Sequence, residues 1–167
     1  MDRSSPILVN NQNGKPASES RVVMTELVLP SHTNALDSVF GGVIMSWIDI
    51  CGAIVAQRHS ACSVVTASID DLHFVAPVFK GWVVNLKGSL NFVSRTSMEI
   101  GVRVDAENPS TGETFHTATA YSTFVALDKN RKPTPVRPLI LETPEDHRRH
   151  ADAQMRRELR LRRAVKS

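Results

Sequence analysis

Cysteine is nearly absent: Cys51 and Cys62 are the only two in 167 residues. Two thiols are too few for a disulfide scaffold, and their spacing fits no zinc-ligand pattern, so no metal site is expected and a reducing cytoplasm is the expected compartment. Long hydrophobic runs are missing as well. The longest apolar stretch, Val43 to Ala56, is broken by Ser46 and Asp49, and the N-terminal "MDRSSPILVNNQNGKPASES" is polar with no apolar core. Neither a signal peptide nor a membrane span is therefore expected. Also absent are the GxSxG elbow, the Walker A loop, the GxGxxG turn and the HExxH pair, so the usual nucleotide-binding and Ser-hydrolase explanations have no support.

What charge there is sits unevenly. The formal net charge is +3, and residues 142–167 carry all of it, with eight basic and five acidic side chains; the other 141 residues balance at twelve of each. A basic surface seeking a partner would belong to this tail. The tail has acids in its first turns and Arg and Lys at its end, which suits a helix macrodipole, and only a thin apolar stripe of Met155, Leu159, Leu161 and Val165. It reads as a solvated surface helix over 142–167. Without interleaved aromatics or a binding motif, no nucleic-acid partner is expected.

The body of the chain changes period once. Residues 1–20 are rich in Asn, Ser, Gly and Pro and read as a flexible lead-in, and "RVVMTELVL" (21–29) reads as a strand closed by Pro30. Phe40 to Arg58 then places apolar residues at almost every helical angle, which predicts a long helix wrapped on most sides by other structure. Beyond it the period is two. "SMEIGVRVD" alternates Met98, Ile100, Val102 and Val104 with Glu99, Gly101, Arg103 and Asp105, and three further segments between 64 and 128 are similarly strand-like, separated by Pro/Lys/Gly and Asn-Pro-Ser-Thr-Gly turns. Strand, buried helix and four successive strands predict an α+β domain over 21–141, an antiparallel sheet curled around one helix. That is the outline of a hotdog fold.

Within the predicted helix, Asp49 is out of place. A buried carboxylate costs several kcal/mol unless paired, hydrogen-bonded or protonated. At helical spacing Gly42, Met45, Ser46, Gly52 and Ala53 share its face, and their small size leaves room for a substrate. The alternative is an inert aspartate bonded to nearby backbone. Gly41 and Gly42 fall at the helix start, where amides lack partners and could hold an oxyanion; equally, they could serve a tight turn or close packing. His32 and Asn34 precede the helix in a turn-rich loop. Thr66 and Ser68 follow on one face of the next strand, as site residues or as plain strand residues. Cys51 and Cys62 read as packing residues.

"LPSHTNALDSVFGGVIMSWIDICGAIVAQRHS", "VVTASIDDLHFVAPVFKGWVV", "SRTSMEIGVRVDAENPSTGE" and "FVALDKNRKPTPV" together resemble the hotdog-fold acyl-CoA thioesterases of the brain-type cytosolic hydrolase and its bacterial relatives. The resemblance implies hydrolysis of acyl-CoA to fatty acid and CoA with no metal or organic cofactor. It makes Asp49 the catalytic carboxylate and Asn34 a second functional position. Arg95, Thr96 and Ser97 resemble the family's nucleotide-contacting segment, with Lys80, Arg58 and Arg103 as weaker candidates. One departure is Asp37-Ser38, where the family pattern leads one to expect glycine.

On this reading Asp49 acts as general base or nucleophile, Gly41 and Gly42 supply oxyanion amides, and Thr66 is a supporting donor. Gly42 and Asp49 are seven residues apart, about 10 Å along a helix. One carbonyl can hardly touch both, so the site is expected to be composite, built from two protomers of a two-fold dimer. The family's habit of assembling dimers into hexamers agrees. Two other readings compete: a hotdog dehydratase or hydratase, for which His32 is the only loop histidine beside the helix, and a non-catalytic acyl-CoA-binding module.

Overall fold

A computed structural model describes residues 13–164. Its central element is helix α1 (Gly41–Ser60), which ends where Ala61 turns left-handed and its N–H bonds the carbonyl of Gln57. Five long strands follow the predicted order: β2 (Val22–Leu27) before the helix, then β3 (Ser63–Phe74), β4 (Val83–Val93), β5 (Ser97–Glu107) and β6 (Thr114–Leu127). They form one antiparallel sheet in the order β2-β4-β5-β6-β3, with β3 at an edge. This is the α+β hotdog architecture.

Alternation decides which side of β5 meets the helix. Met98, Ile100, Val102 and Val104 are fully buried in one core with Ile48, Cys51 and Val55 of α1 and Val84 and Leu86 of β4. Two glycines let helix and sheet close up. A Cβ on Gly52 would meet the Phe124 ring at 2.8 Å, and one on Gly88 would meet Cys51 Sγ and Val55 Cγ2 at 2.9 Å. Gly52 thus serves packing rather than leaving space beside Asp49.

The helix is not wrapped on most sides. Ile44, Trp47, Ile48, Cys51, Val55 and Ala56 face the sheet, but Gly41, Gly42, Met45, Ser46 and Ile50 are exposed. A five-stranded open sheet can cover only one flank of a helix. The apolar residues on the other flank have no cover within the protomer.

The opposite face of the sheet also departs from expectation. Glu99 is buried because α2 (Pro144–Ala164) lies across that face, and Asp105 is buried among Arg103, His116 and Lys87 of the sheet. Arg156 pairs with Glu99 at 2.7 Å and stacks 3.6 Å over the Tyr121 ring, while Arg160 reaches Asp70 at 2.6 Å. The predicted apolar stripe does not dock: Met155, Leu159 and Leu161 are exposed, and Val165 lies outside the described residues. The tail is therefore a surface helix, solvated along most of its length as expected and tied to the sheet by arginines. Its start is a reciprocal cap. Asp146 N–H donates to Thr143 Oγ1 at 3.1 Å, and Asp146 Oδ2 accepts from the amides of Thr143 and Glu142 at 3.1 and 3.2 Å. Burial works against the charge on Asp146, but the hydrogen bonds from Thr143 and the two amides, with nearby Arg21, hold its carboxyl below the usual range.

The lead-in is shorter than predicted. Lys15–Pro16 (β1) pairs in parallel with Leu139–Ile140 (β7), and Ala17–Ser20 forms a 3₁₀ turn with Ala17 and Ser20 buried. The rest of that segment, 1–12, lies outside the described residues.

Candidate active site

Asp49 sits half-buried on the open flank of α1, between the sheet-facing Ile48 and the exposed Ile50. Thr66 on β3 donates its hydroxyl to Asp49 Oδ1 at 2.6 Å. The length is that of a charge-assisted bond to a carboxylate. A β-bulge makes this aim possible: Thr66 pairs with Phe124 and Ser68 with Thr123, so the extra residue Ala67 throws Thr66 and Ser68 to opposite faces. Ser68 therefore leaves the site, contrary to the strict alternation read from sequence.

The start of α1 offers unfilled donors. Phe40 is the N-cap with no side-chain cap, its carbonyl takes the amides of Val43 and Ile44, and the amides of Gly41 and Gly42 have no acceptor among the described residues. Neither glycine has a positive φ. A Cβ on Gly42 would meet nothing within 4 Å. Neither turn geometry nor packing inside the protomer requires glycine at 42, which leaves close approach by something outside it.

Asn34 organises its own loop. Its Oδ1 accepts from Leu36 N at 2.9 Å, Ser38 Oγ at 3.1 Å and Ser38 N at 3.3 Å, so Nδ2 is the end left for other partners. No hydrogen bond joins Asn34 to Asp49 within the protomer. His32 is committed elsewhere: its Nδ1 accepts from Leu29 N at 3.1 Å, and its ring stands edge-on to Trp47. Asp37, where glycine was expected, has φ 56°, a left-handed conformation that glycine favours and aspartate tolerates. Its carboxylate pairs with Lys80 at 3.2 Å.

Arg95 and Thr96 lie in the β4–β5 turn, and Ser97 opens β5. The carbonyls of Arg95 and Thr96 are fixed by the amides of Val136 and Ala126, both at 3.0 Å, and the Arg95 side chain is exposed. Register sets Ser97 level with Val125 and Val65, two strand spacings or about 10 Å from the β3 segment carrying Thr66. The turn thus lies at the same end of the sheet as the Asp49–Thr66 pair. The weaker cation candidates are engaged elsewhere. Arg103 is paired with Asp105 on the sheet face away from α1, Arg58 bonds the carbonyl of Arg21 at 2.8 Å, and Lys80 is taken by Asp37.

Burial pushes the Cys51 thiol up to about 11, which makes it a packing residue. Cys62 is half-buried and bonds the carbonyl of Ser60. Among the described residues no group of three or more His, Cys, Asp or Glu is placed to hold a metal ion, and no helix is long and apolar enough to cross a membrane.

The surroundings of the Asp49–Thr66 pair are open and apolar. Phe40, Met45 and Ile50 of the helix and Val65, Phe74 and Val75 of the β3 edge are all exposed. An unpaired strand edge beside an uncovered apolar flank is the surface on which another chain is added.

Comparison with known proteins agrees. Residues 36–113 match the Thioesterase superfamily family model. An uncharacterized acyl-CoA thioester hydrolase of Bacillus subtilis is 42% identical over 138 residues, covering 83% of this chain and 80% of that protein. The cytosolic acyl coenzyme A thioester hydrolase of Rattus norvegicus is 36% identical over 157 residues, but the chain spans only 41% of its length. Among solved structures, a hexameric acyl-CoA thioesterase superposes with TM-score 0.87 at 39% identity, covering 91% of this chain and 97% of that one. An acyl-CoA hydrolase from Staphylococcus aureus, in complex with butyryl coenzyme A and coenzyme A, superposes at 0.84 with 32% identity, covering 91% and 93%. That protein has also been solved with an asparagine, an aspartate and a threonine each replaced by alanine, at positions spaced along its chain as Asn34, Asp49 and Thr66 are along this one. The chain belongs to the hotdog-fold acyl-CoA thioesterases of the Thioesterase superfamily.

Proposed function

We propose that this protein hydrolyses acyl-CoA thioesters to the free acid and CoA at a composite site, with Asp49 as the reacting carboxylate. The observation that carries the reading is the 2.6 Å bond from Thr66 to Asp49 Oδ1 on an uncovered helix flank. It fixes one oxygen of the carboxylate and leaves the other for chemistry. As a base, Oδ2 takes a proton from a water whose oxygen attacks the thioester carbon; the C–S bond breaks and the proton returns to the departing CoA sulfur. As a nucleophile, Oδ2 attacks the same carbon and expels CoA, and water then cleaves the mixed anhydride. Either route develops negative charge on the carbonyl oxygen, for which the amides of Gly41 and Gly42 and the Asn34 Nδ2 are suitable donors.

Those donors belong to the partner of the chain that supplies Asp49. Seven helical residues, about 10 Å, separate Gly42 from Asp49, and no hydrogen bond links Asn34 to Asp49 within the protomer. The exposed β3 edge and the α1 flank are the faces across which two protomers pair, and a hexamer of three such dimers is the assembly we favour. Arg95, Thr96 and Ser97 contact the CoA phosphates, no metal or organic cofactor takes part, no nucleic acid is bound, and the setting is cytoplasmic. A dehydratase would need a histidine free for proton transfer; His32 Nδ1 is occupied by Leu29 N–H. The test is release of free CoA from acyl-CoAs of graded chain length by wild type and Asp49→Ala. Hydrolysis of at least one chain length, lost in the folded variant, is expected; an alanine variant with full rate sinks the proposal.

A further inference from the structure

On the face of the sheet away from α1, a cavity of about 680 Å³ lies beneath α2. That volume falls in the range of small-molecule sites. Its floor is three strands in register. Lys87, Arg103 and Thr119 stand side by side on β4, β5 and β6, and Ser89, Gly101 and Tyr121 form the next row. Like charges directly across a ladder repel, yet Lys87 and Arg103 are so placed. Asp105 holds them there: Arg103 Nε lies 3.0 Å from both carboxylate oxygens and Lys87 Nζ 3.9 Å from one.

The way these cations are held leaves their ligand-binding ends open. Arg103 is anchored through Nε alone, so the two terminal nitrogens that fork onto phosphate oxygens have no partner among the described residues. From the roof, Arg149 reaches Ser89 Oγ at 3.3 Å through one terminal nitrogen and Glu145 through Nε, which leaves the other terminal nitrogen. Arg21 stands at the rim, beside the Val22–Gly88 pair, with one nitrogen on Asp146. The acids of α2 that line the cavity, Glu145 and Asp152, are already met by Arg148 at 2.5 and 2.9 Å. Beneath lies Asn91, only 3% exposed, with an Oδ1 that has no partner. Glycine at 101 keeps the floor open there, since a Cβ would come within 2.8 Å of Asn91 Nδ2.

We infer that this groove binds a small molecule carrying a phosphate or diphosphate group, at a site separate from the thioester site. The sheet itself lies between the groove and Asp49, so a thioester held at Asp49 does not fill it. The inference stands on Lys87, Arg103 and Arg149 and does not depend on which reaction Asp49 performs.

The test is calorimetric titration of the full chain with sodium pyrophosphate in a phosphate-free buffer at constant ionic strength. Saturable binding is expected, about tenfold weaker in Arg103→Gln and in Lys87→Gln and unchanged in Lys129→Gln, which alters an exposed lysine outside the groove. Lys87 is well exposed and only loosely paired, so Lys87→Gln remains informative if Arg103→Gln fails to fold. Absence of saturable binding by wild type at millimolar pyrophosphate overturns the inference. So does binding that survives both groove substitutions, or that is lost instead in Lys129→Gln.

Discussion

Replacing Thr66 by valine removes one hydroxyl and nearly nothing else. The side chain keeps its branching and volume, stays on a strand that favours it, and loses only the 2.6 Å bond to Asp49 Oδ1. A hydrogen bond to a charged group contributes about 1.5–3 kcal/mol. Thr66 is exposed in the protomer and Asp49 half-buried, so the lower part of that range applies, and each 1.4 kcal/mol is a factor of ten. Thr66→Val should therefore lower kcat/KM about 10- to 30-fold, with kcat taking most of the loss and the melting temperature hardly moving. Thr66→Ser keeps the donor and should recover most of the rate. The assay is steady-state CoA release, with thermal melts to establish folding. A folded valine variant with wild-type kcat refutes the positioning role. A serine variant as slow as valine does the same, because the methyl rather than the hydroxyl would then matter.

Four further outcomes follow from the structure. Inactive Asp49→Ala and inactive Asn34→Ala chains, co-expressed, should recover part of the activity in mixed dimers if the two residues serve one site from different chains; no recovery in purified mixed dimers argues against a shared site. Arg156→Met strands Glu99, 2% exposed, without its cation and should cost about 3 kcal/mol in urea unfolding, largely restored by adding Glu99→Gln. Gly88→Ala places a methyl 2.9 Å from Cys51 Sγ and Val55 Cγ2 and should cost about 1–3 kcal/mol by overpacking. His59 is fully buried, and that burial lowers its pKa more than the Arg137 carbonyl bond raises it, with Lys15 and Arg137 adding repulsion. The unfolded chain then binds the extra proton, so stability should fall as pH drops below about 6.5; His59→Gln should flatten the decline in urea midpoints between neutral and mildly acid pH.

Much of the fold was legible because period survives in sequence. The alternation of Met98, Ile100, Val102 and Val104 marks a strand with one face in the core, and the core bears this out. The helix was legible for the same reason, its cover was not: an all-round apolar pattern does not say whether the protomer or a second chain supplies the wrapping. The tail was legible as a surface helix, but not its attachment: apolar periodicity is the usual docking signal, whereas arginines made the contact here through Glu99, Tyr121 and Asp70. A signal for its start was present in Thr143-Pro144-Glu145-Asp146, a capping box with proline at the first helical position.

The sequence by itself determined the element order, the identity of the odd carboxylate and the candidates around it, since these depend on local spacing and on the cost of burying a charge. Only the tertiary structure decided their relations. A bulge at Ala67 chose Thr66 over Ser68 as the partner of Asp49, strand register brought the Arg95–Ser97 turn to the same end of the sheet, and α2 closed a cationic groove on the other face. The reason is physical: a bulge shifts facing by one residue, and register pairs residues tens of positions apart, so neither leaves a mark in any short window of the chain.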